Sequence, residues 1–227
     1  MKRLLALLIV LLAAPVDPAR AAGHAHIVDD AEVETPGTCH VELWVSVYML
    51  GEGYGNAAPG CTSKKIPWLE FGFAYSNYWD QAIAAPLFGP QVKINFRSSE
   101  TTAVGIGIGL NAGVNLKTGD LGLGQAYLLM TIPINKDVRL NVNYGWSYLS
   151  DSEIPNAAFY GAQIEANVTK DLLLMVEMFG RAPGELGAQF GLRYTPNQGF
   201  IDFDLLVGNQ FDQIGSRSIT FGMTLRF

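Results

Sequence analysis

Ser218-Ile-Thr-Phe-Gly-Met-Thr-Leu-Arg-Phe227, the last ten residues of the chain, alternate without a break. In an extended strand successive side chains point to opposite faces. Ile219, Phe221, Met223, Leu225 and Phe227 therefore share one face, and Ser218, Thr220, Gly222, Thr224 and Arg226 share the other. The chain ends on an aromatic of the apolar face. A soluble sheet seldom leaves such a strand at an open edge, because unpaired apolar edges aggregate. This strand calls for apolar surroundings on one side only.

The same economy runs through the whole composition. Of 227 residues, 49% are hydrophobic and only 16% charged, with 25 glycines; soluble domains carry about 25% charge. Lys2 and Arg3, an apolar run from Leu4 to Ala14, and Ala19-Arg20-Ala21 have the layout of a cleaved secretion signal, residues 1–21. That run falls short of the roughly 20 residues a spanning helix needs. No later run is longer. A chain that is apolar overall but never apolar in a block fits a transmembrane β-barrel, where every second residue meets lipid. The net charge of −6 argues against nucleic acid as a partner, and nothing in the chain calls for a cofactor.

Alternation recurs along the chain. Val41, Leu43, Val45 and Val47 oppose His40, Glu42, Trp44 and Ser46, and Leu69, Phe71, Phe73 and Tyr75 oppose Glu70, Gly72, Ala74 and Ser76. Val92, Ile94 and Phe96 oppose Lys93, Asn95 and Arg97; Val104, Ile106, Ile108 and Leu110 oppose Gly105, Gly107, Gly109 and Asn111. Gly107-x-Gly109-x-x-Ala112 lacks the strand-turn-helix setting of a dinucleotide site, so those glycines read as the inner face of a strand. Further strands are expected at 123–134, 138–149, 158–169, 172–181, 188–195 and 200–210. Turns at 98–101, 135–137, 170–171 and 195–199 are tight, and those at 115–122, 150–157, 181–187 and 210–217 longer, the sorting expected of periplasmic turns and external loops.

Clear alternation accounts for eleven strands, and single-chain bacterial barrels have an even number. The missing strand is expected at Gly53–Cys61. A hairpin centred near Leu50-Gly51 sets Cys39 opposite Cys61, within reach of a disulfide in an exported protein. The expectation is an all-β, antiparallel transmembrane barrel of twelve strands over residues 39–227, with ten as the alternative. Residues 22–38 are expected as a periplasmic lead-in, in which His24 and His26 belong to a solvated tail rather than a metal site.

The final strand resembles the closing strand of bacterial outer-membrane barrels, which typically ends in Phe and is read by the barrel insertion machinery. The resemblance implies an assembly signal at Phe221 and Phe227. Ile27-Val-Asp-Asp-Ala-Glu-Val-Glu-Thr-Pro-Gly-Thr-Cys-His-Val-Glu-Leu-Trp-Val45 resembles the opening of the barrels grouped under the meta-pathway of phenol degradation. That implies uptake or a structural barrel, with no defined substrate.

Charge on the inward face is expected at Glu42, Glu70, Lys93, Arg97, Arg139, Glu165, Glu177, Arg181, Arg193, Asp202, Asp204 and Arg226. Arg193 is expected roughly opposite Asp202, and Glu165 near Glu177. Such groups either pair and fill a narrow lumen or form a charged constriction. Barrel enzymes place a His at the external rim, whereas this chain has only His24, His26 and His40, so no enzyme is expected. The sequence points to the outer membrane of a Gram-negative bacterium and a narrow channel or uptake protein for small solutes, aromatic or hydrophobic ones included. A plugged structural barrel without transport is the alternative. Outer-membrane lipid, the insertion machinery and small solutes are the expected partners.

Overall fold

The computed structural model of the chain describes residues 25–49, 51–79, 86–184, 186–196, 199–209 and 217–227. His24, the secretion signal and most of the 210–217 loop fall outside them.

The period-two stretches form strands β1 (Cys39–Tyr48), β2 (Gly53–Thr62), β3 (Leu69–Trp79), β4 (Leu87–Arg97), β5 (Gly105–Asn115) and β6 (Leu121–Pro133). They continue as β7 (Val138–Leu149), β8 (Asn156–Asn167), β9 (Leu172–Ala182), β10 (Leu186–Tyr194), β11 (Ile201–Asn209) and β12 (Arg217–Arg226). Each pairs antiparallel with its sequence neighbours, and β1 pairs with β12 to close the barrel. The closing seam runs from Tyr48 opposite Ser218 to His40 opposite Arg226. Phe227 extends it by one residue, donating to the Cys39 carbonyl and accepting from the Cys39 amide, both at 2.9 Å. The terminal strand of the sequence is thus the strand that abolishes the sheet's open edge.

β2 is almost bare of the alternation that marks its neighbours, yet it pairs along its length with β1, from Val47 opposite Gly53 to Cys39 opposite Cys61. Cys39 and Cys61 are joined by a disulfide, their Cα atoms 4.0 Å apart. Their place in the alternation puts the disulfide on the outer face, at the end of the barrel that carries both termini of the sheet. Gly51, with φ 88°, makes the tight turn between the two strands in a region that side chains rarely occupy.

The outside of the barrel is apolar and exposed: Val45, Val47, Phe71, Phe73, Tyr144, Ile164, Val176, Phe190, Val207 and Phe221 all stand free. Phe73 and Phe88 stack across β3 and β4 at 5.6 Å. Among the described residues, charge on the outward face of the strands is confined to strand ends, at Arg97 and Arg217. The buried side chains are the polar ones, among them Ser46, Thr131, Asn141, Gln163, Glu165, Arg193 and Thr220. Apolar surface out and polar groups in is the inverse of a soluble protein, and closed barrels leave no backbone group unpaired in lipid.

Two expectations need correction. Arg97 does not face the lumen. Pairing of β4 with β5 passes from Asn95 opposite Gly107 to Arg97 opposite Ile106, so a bulge at Phe96 shifts the alternation by one residue. Arg97 is left exposed, on the face of Ile106. Connection lengths do not sort as expected either. β7–β8 and β9–β10 are joined by 150–155 and 183–185, whereas β2–β3 and β4–β5 take 63–68 and 98–104. Main-chain pairing such as Leu186 with Gly180 and Asn156 with Tyr148 runs on past the apolar pattern and shortens the predicted loops.

Candidate functional site: a lumen crossed by the amino-terminal segment

Residues 25–34 do not form a solvated lead-in. They run into the barrel from the end that carries Cys39 and cross its lumen, with His26, Val28, Asp29, Asp30, Ala31 and Glu34 all buried. The wall makes room by omission. A Cβ at Gly161 would sit 2.6 Å from Val28 Cγ2, one at Gly107 3.2 Å from the Ala31 carbonyl, and one at Gly222 3.2 Å from Ala25 Cβ. The inward glycines are therefore the surface against which the segment lies.

The wall holds the segment by its backbone as well as by its side chains. The Ile27 and Val28 amides donate to the two carboxylate oxygens of Glu177, at 3.2 and 2.9 Å. Asn143 accepts from the Asp29 amide at 2.8 Å and donates to the Asp29 carbonyl at 2.7 Å. The Thr131 hydroxyl accepts from the Ala31 amide at 2.9 Å, and Asn95 donates to the Ala31 carbonyl at 2.6 Å. Glu70 accepts from the Glu34 amide at 2.7 Å. Val28 enters an apolar niche against Phe159 and Phe179, with Ile27 packed at its edge.

Behind this layer the wall side chains support one another. Thr131 donates to Asn141 (2.9 Å), Asn141 donates to Gln163 (2.8 Å) and Glu165 (2.9 Å), and both Gln163 and Gln189 donate to Glu177. A buried carboxylate is tolerated only when its lone pairs are met. At Glu177 the segment's amides complete that set.

The charges fall into three groups. Lys93 binds Asp29 at 2.9 Å and lies 3.6 Å from Asp30, and Arg139 lies 3.3 Å from Asp30 and 2.6 Å from Glu165. Arg193, wholly buried, grips Asp204 through two nitrogens at 2.7 and 2.8 Å, with His26 Nε2 3.7 Å from the same carboxylate. Arg226 bridges Glu34 at 2.6 Å and Asp202 at 2.8 Å. All three groups join wall to segment.

Several expected neighbours are thereby rearranged. Arg193 stands opposite Asp204, not Asp202, because β10 and β11 pair two residues out of the expected register. Glu165 and Glu177 are near each other on a diagonal, Glu165 opposite Met175 and Glu177 opposite Gln163. Arg181 points into the far end, donating to Ser152 and to the carbonyls of Ile154 and Pro155 at 3.0 Å each, so it braces a loop rather than a constriction. Glu42 is buried beside His40 near the terminal end, its Oε1 3.9 Å from His40 Nε2. Beneath the segment, at the terminal end, a cavity of about 680 Å³ remains, lined by Glu32, Glu34, Glu42, Glu70, Lys93 and Arg139 among others.

Sequence reasoning missed the segment and its readers Asn95, Thr131 and Asn143. One signal pointed that way: inward glycines at 105, 107, 109, 161 and 222 leave volume along the wall.

A closed twelve-stranded barrel, apolar outside and charged within, is an outer-membrane-type barrel of the porin architecture. The chain belongs to the family described as Uncharacterised conserved protein UCP029691, whose model matches residues 8–227. No curated protein matches it. Among solved structures it is similar to the KdgM porin in complex with disordered oligogalacturonate, with a TM-score of 0.67 and 10% identity over 83% of this chain and 99% of that one. It is also similar to the NanC porin, with a TM-score of 0.62 and 8% identity over 82% and 98% of the two chains. At such identities the likeness is one of fold. The meta-pathway resemblance of residues 27–45 is reduced to its broader content, an outer-membrane barrel. The matching family is a different one.

Proposed function

We propose that this protein is an outer-membrane channel or uptake barrel for small polar solutes, closed in its resting state by its own amino-terminal segment. The observation that carries the reading is the backbone of residues 27–34, held across the lumen by Glu177, Asn143, Thr131, Asn95 and Glu70. A lumen lined with paired charge and amide groups favours polar solutes over aromatic or hydrophobic ones. Its likeness in fold to porins supports a channel, and the oligogalacturonate in complex with the KdgM porin is likewise polar. Both ends of the sheet then face the periplasm, the secretion signal is removed, and the barrel has no catalytic role.

The segment is tethered to β1 by only a few residues, so it can leave the lumen and return without the barrel opening. In planar bilayers the full chain should conduct weakly, and a full-length variant with Val28→Ser and Asp30→Asn should conduct in long-lived steps. A variant equally silent, though folded, would favour the structural barrel without transport.

A further inference from the structure

The wall meets the segment in two ways. The segment's side chains are held by Lys93, Arg139 and Arg226 on Asp29, Asp30 and Glu34, and by Phe159 and Phe179 on Val28. Wall side chains also bond to amides and carbonyls that any peptide possesses: two amides on Glu177, an amide and a carbonyl on Asn143, an amide on Thr131 and a carbonyl on Asn95. Glu177 and Asn143 lie near the middle of β9 and β7, and Thr131 and Asn95 towards the ends of β6 and β4, so the row runs from mid-height of the lumen towards its terminal end. Along it two successive amides, those of Ile27 and Val28, are followed by an amide and a carbonyl at each of Asp29 and Ala31. Cations flank the row, with Lys93 and Arg139 on Asp29 and Asp30.

We propose that the solute is a short, extended, acidic peptide, and that residues 27–34 are an internal mimic of it. This rests on the channel reading above. When the segment leaves, Glu177 loses two donors while buried, Asn143 loses a donor and an acceptor, and Lys93 loses its carboxylate partners. Buried polar groups left unpaired are costly, so the vacated lumen selects the ligand that restores them. A peptide with free amides and one or two carboxylates at adjacent positions restores all of them. An acidic oligosaccharide supplies carboxylates to Lys93 and Arg139 but no row of amides for Glu177, Asn143 and Thr131.

The test uses the full chain carrying Val28→Ser and Asp30→Asn, its folding checked by heat-modifiable gel migration. To the conducting channel is added the synthetic peptide Ala-His-Ile-Val-Asp-Asp-Ala-Glu-Val-Glu, the sequence of residues 25–34. Block by this peptide is expected. The same peptide N-methylated at the positions of Val28, Asp29 and Ala31 should need at least about tenfold more for half-block, since each lost bond to a charged or buried partner weakens binding by about that factor. Asn143→Leu in the same background should weaken block by the unmodified peptide. A channel that conducts but is not blocked by the peptide overturns the proposal, as does equal block by the N-methylated form or stronger block by oligogalacturonate. A folded variant that never conducts would instead refute the channel reading itself.

Discussion

Arg193 and Asp204 condense the chemistry of the interior into one pair. Both are buried, and their two hydrogen bonds make the strong bidentate geometry of guanidinium and carboxylate. Removing one partner strands the other, so Asp204→Ala should lower barrel stability by about 3–5 kcal/mol, read from the shift in urea-unfolding midpoint in detergent. Gly161 works by what it lacks. Gly161→Ala puts a Cβ 2.6 Å from Val28 Cγ2, on a wall that cannot retreat without bending β8. The segment should shift instead, and its residues should be cut faster by added protease, while the barrel keeps its heat-modifiable migration. Unchanged protection of the segment would show that Val28 has another place to go. Both residues could be placed on the inward face from the sequence alone. What each one touches could not, because register across the β10–β11 turn differs by two residues from the turn's apparent centre, and Val28 lies more than a hundred residues away in the chain.

At the scale of elements, the β1–β2 hairpin and the β1–β12 seam bring together the two ends of the barrel chain. Replacing Cys39 and Cys61 by Ser removes a crosslink spanning 22 residues. That should cost about 2–4 kcal/mol in the same urea titration and leave single-channel conductance unchanged, since the disulfide faces outward. Deleting Phe227 removes the last main-chain pair with Cys39 and an exposed ring, 71% accessible, from the rim of the outer face. Less barrel should then reach the membrane, while the fraction that assembles conducts as the full chain does. Normal yield with altered conductance would place the residue in a different role. The strands themselves were legible wherever apolar and polar residues alternate. β2 was legible only through parity and the cysteine spacing, since its Gly, Ala and Pro leave no pattern. The bulge at Phe96 was not legible at all, as one extra residue changes no composition and declares itself only in pairing with β5.

For the whole molecule, the outward apolar band predicts that the mature protein fractionates with outer membranes and migrates faster unheated than boiled. Recovery from the soluble periplasm without heat-modifiable migration would contradict the barrel. The cavity of about 680 Å³ at the terminal end opens on the side where the segment enters, so the barrel is closed at mid-height and not at that mouth.

The sequence by itself determined the class of fold, the inward and outward faces, the number of strands and the residue that closes the sheet. These follow from period and parity, which are local properties of the chain. Only the tertiary structure decided that residues 25–34 lie inside the barrel. That segment has no period of its own, and its acids and bare amides look like a solvated tail until the wall groups needing them are set at the same height. Its place depends on partners from β3 to β12, which no local pattern brings together. The same reason governs Arg97 and Arg181. Alternation assigns a side chain to a face, but a bulge or a loop carbonyl decides what it meets there.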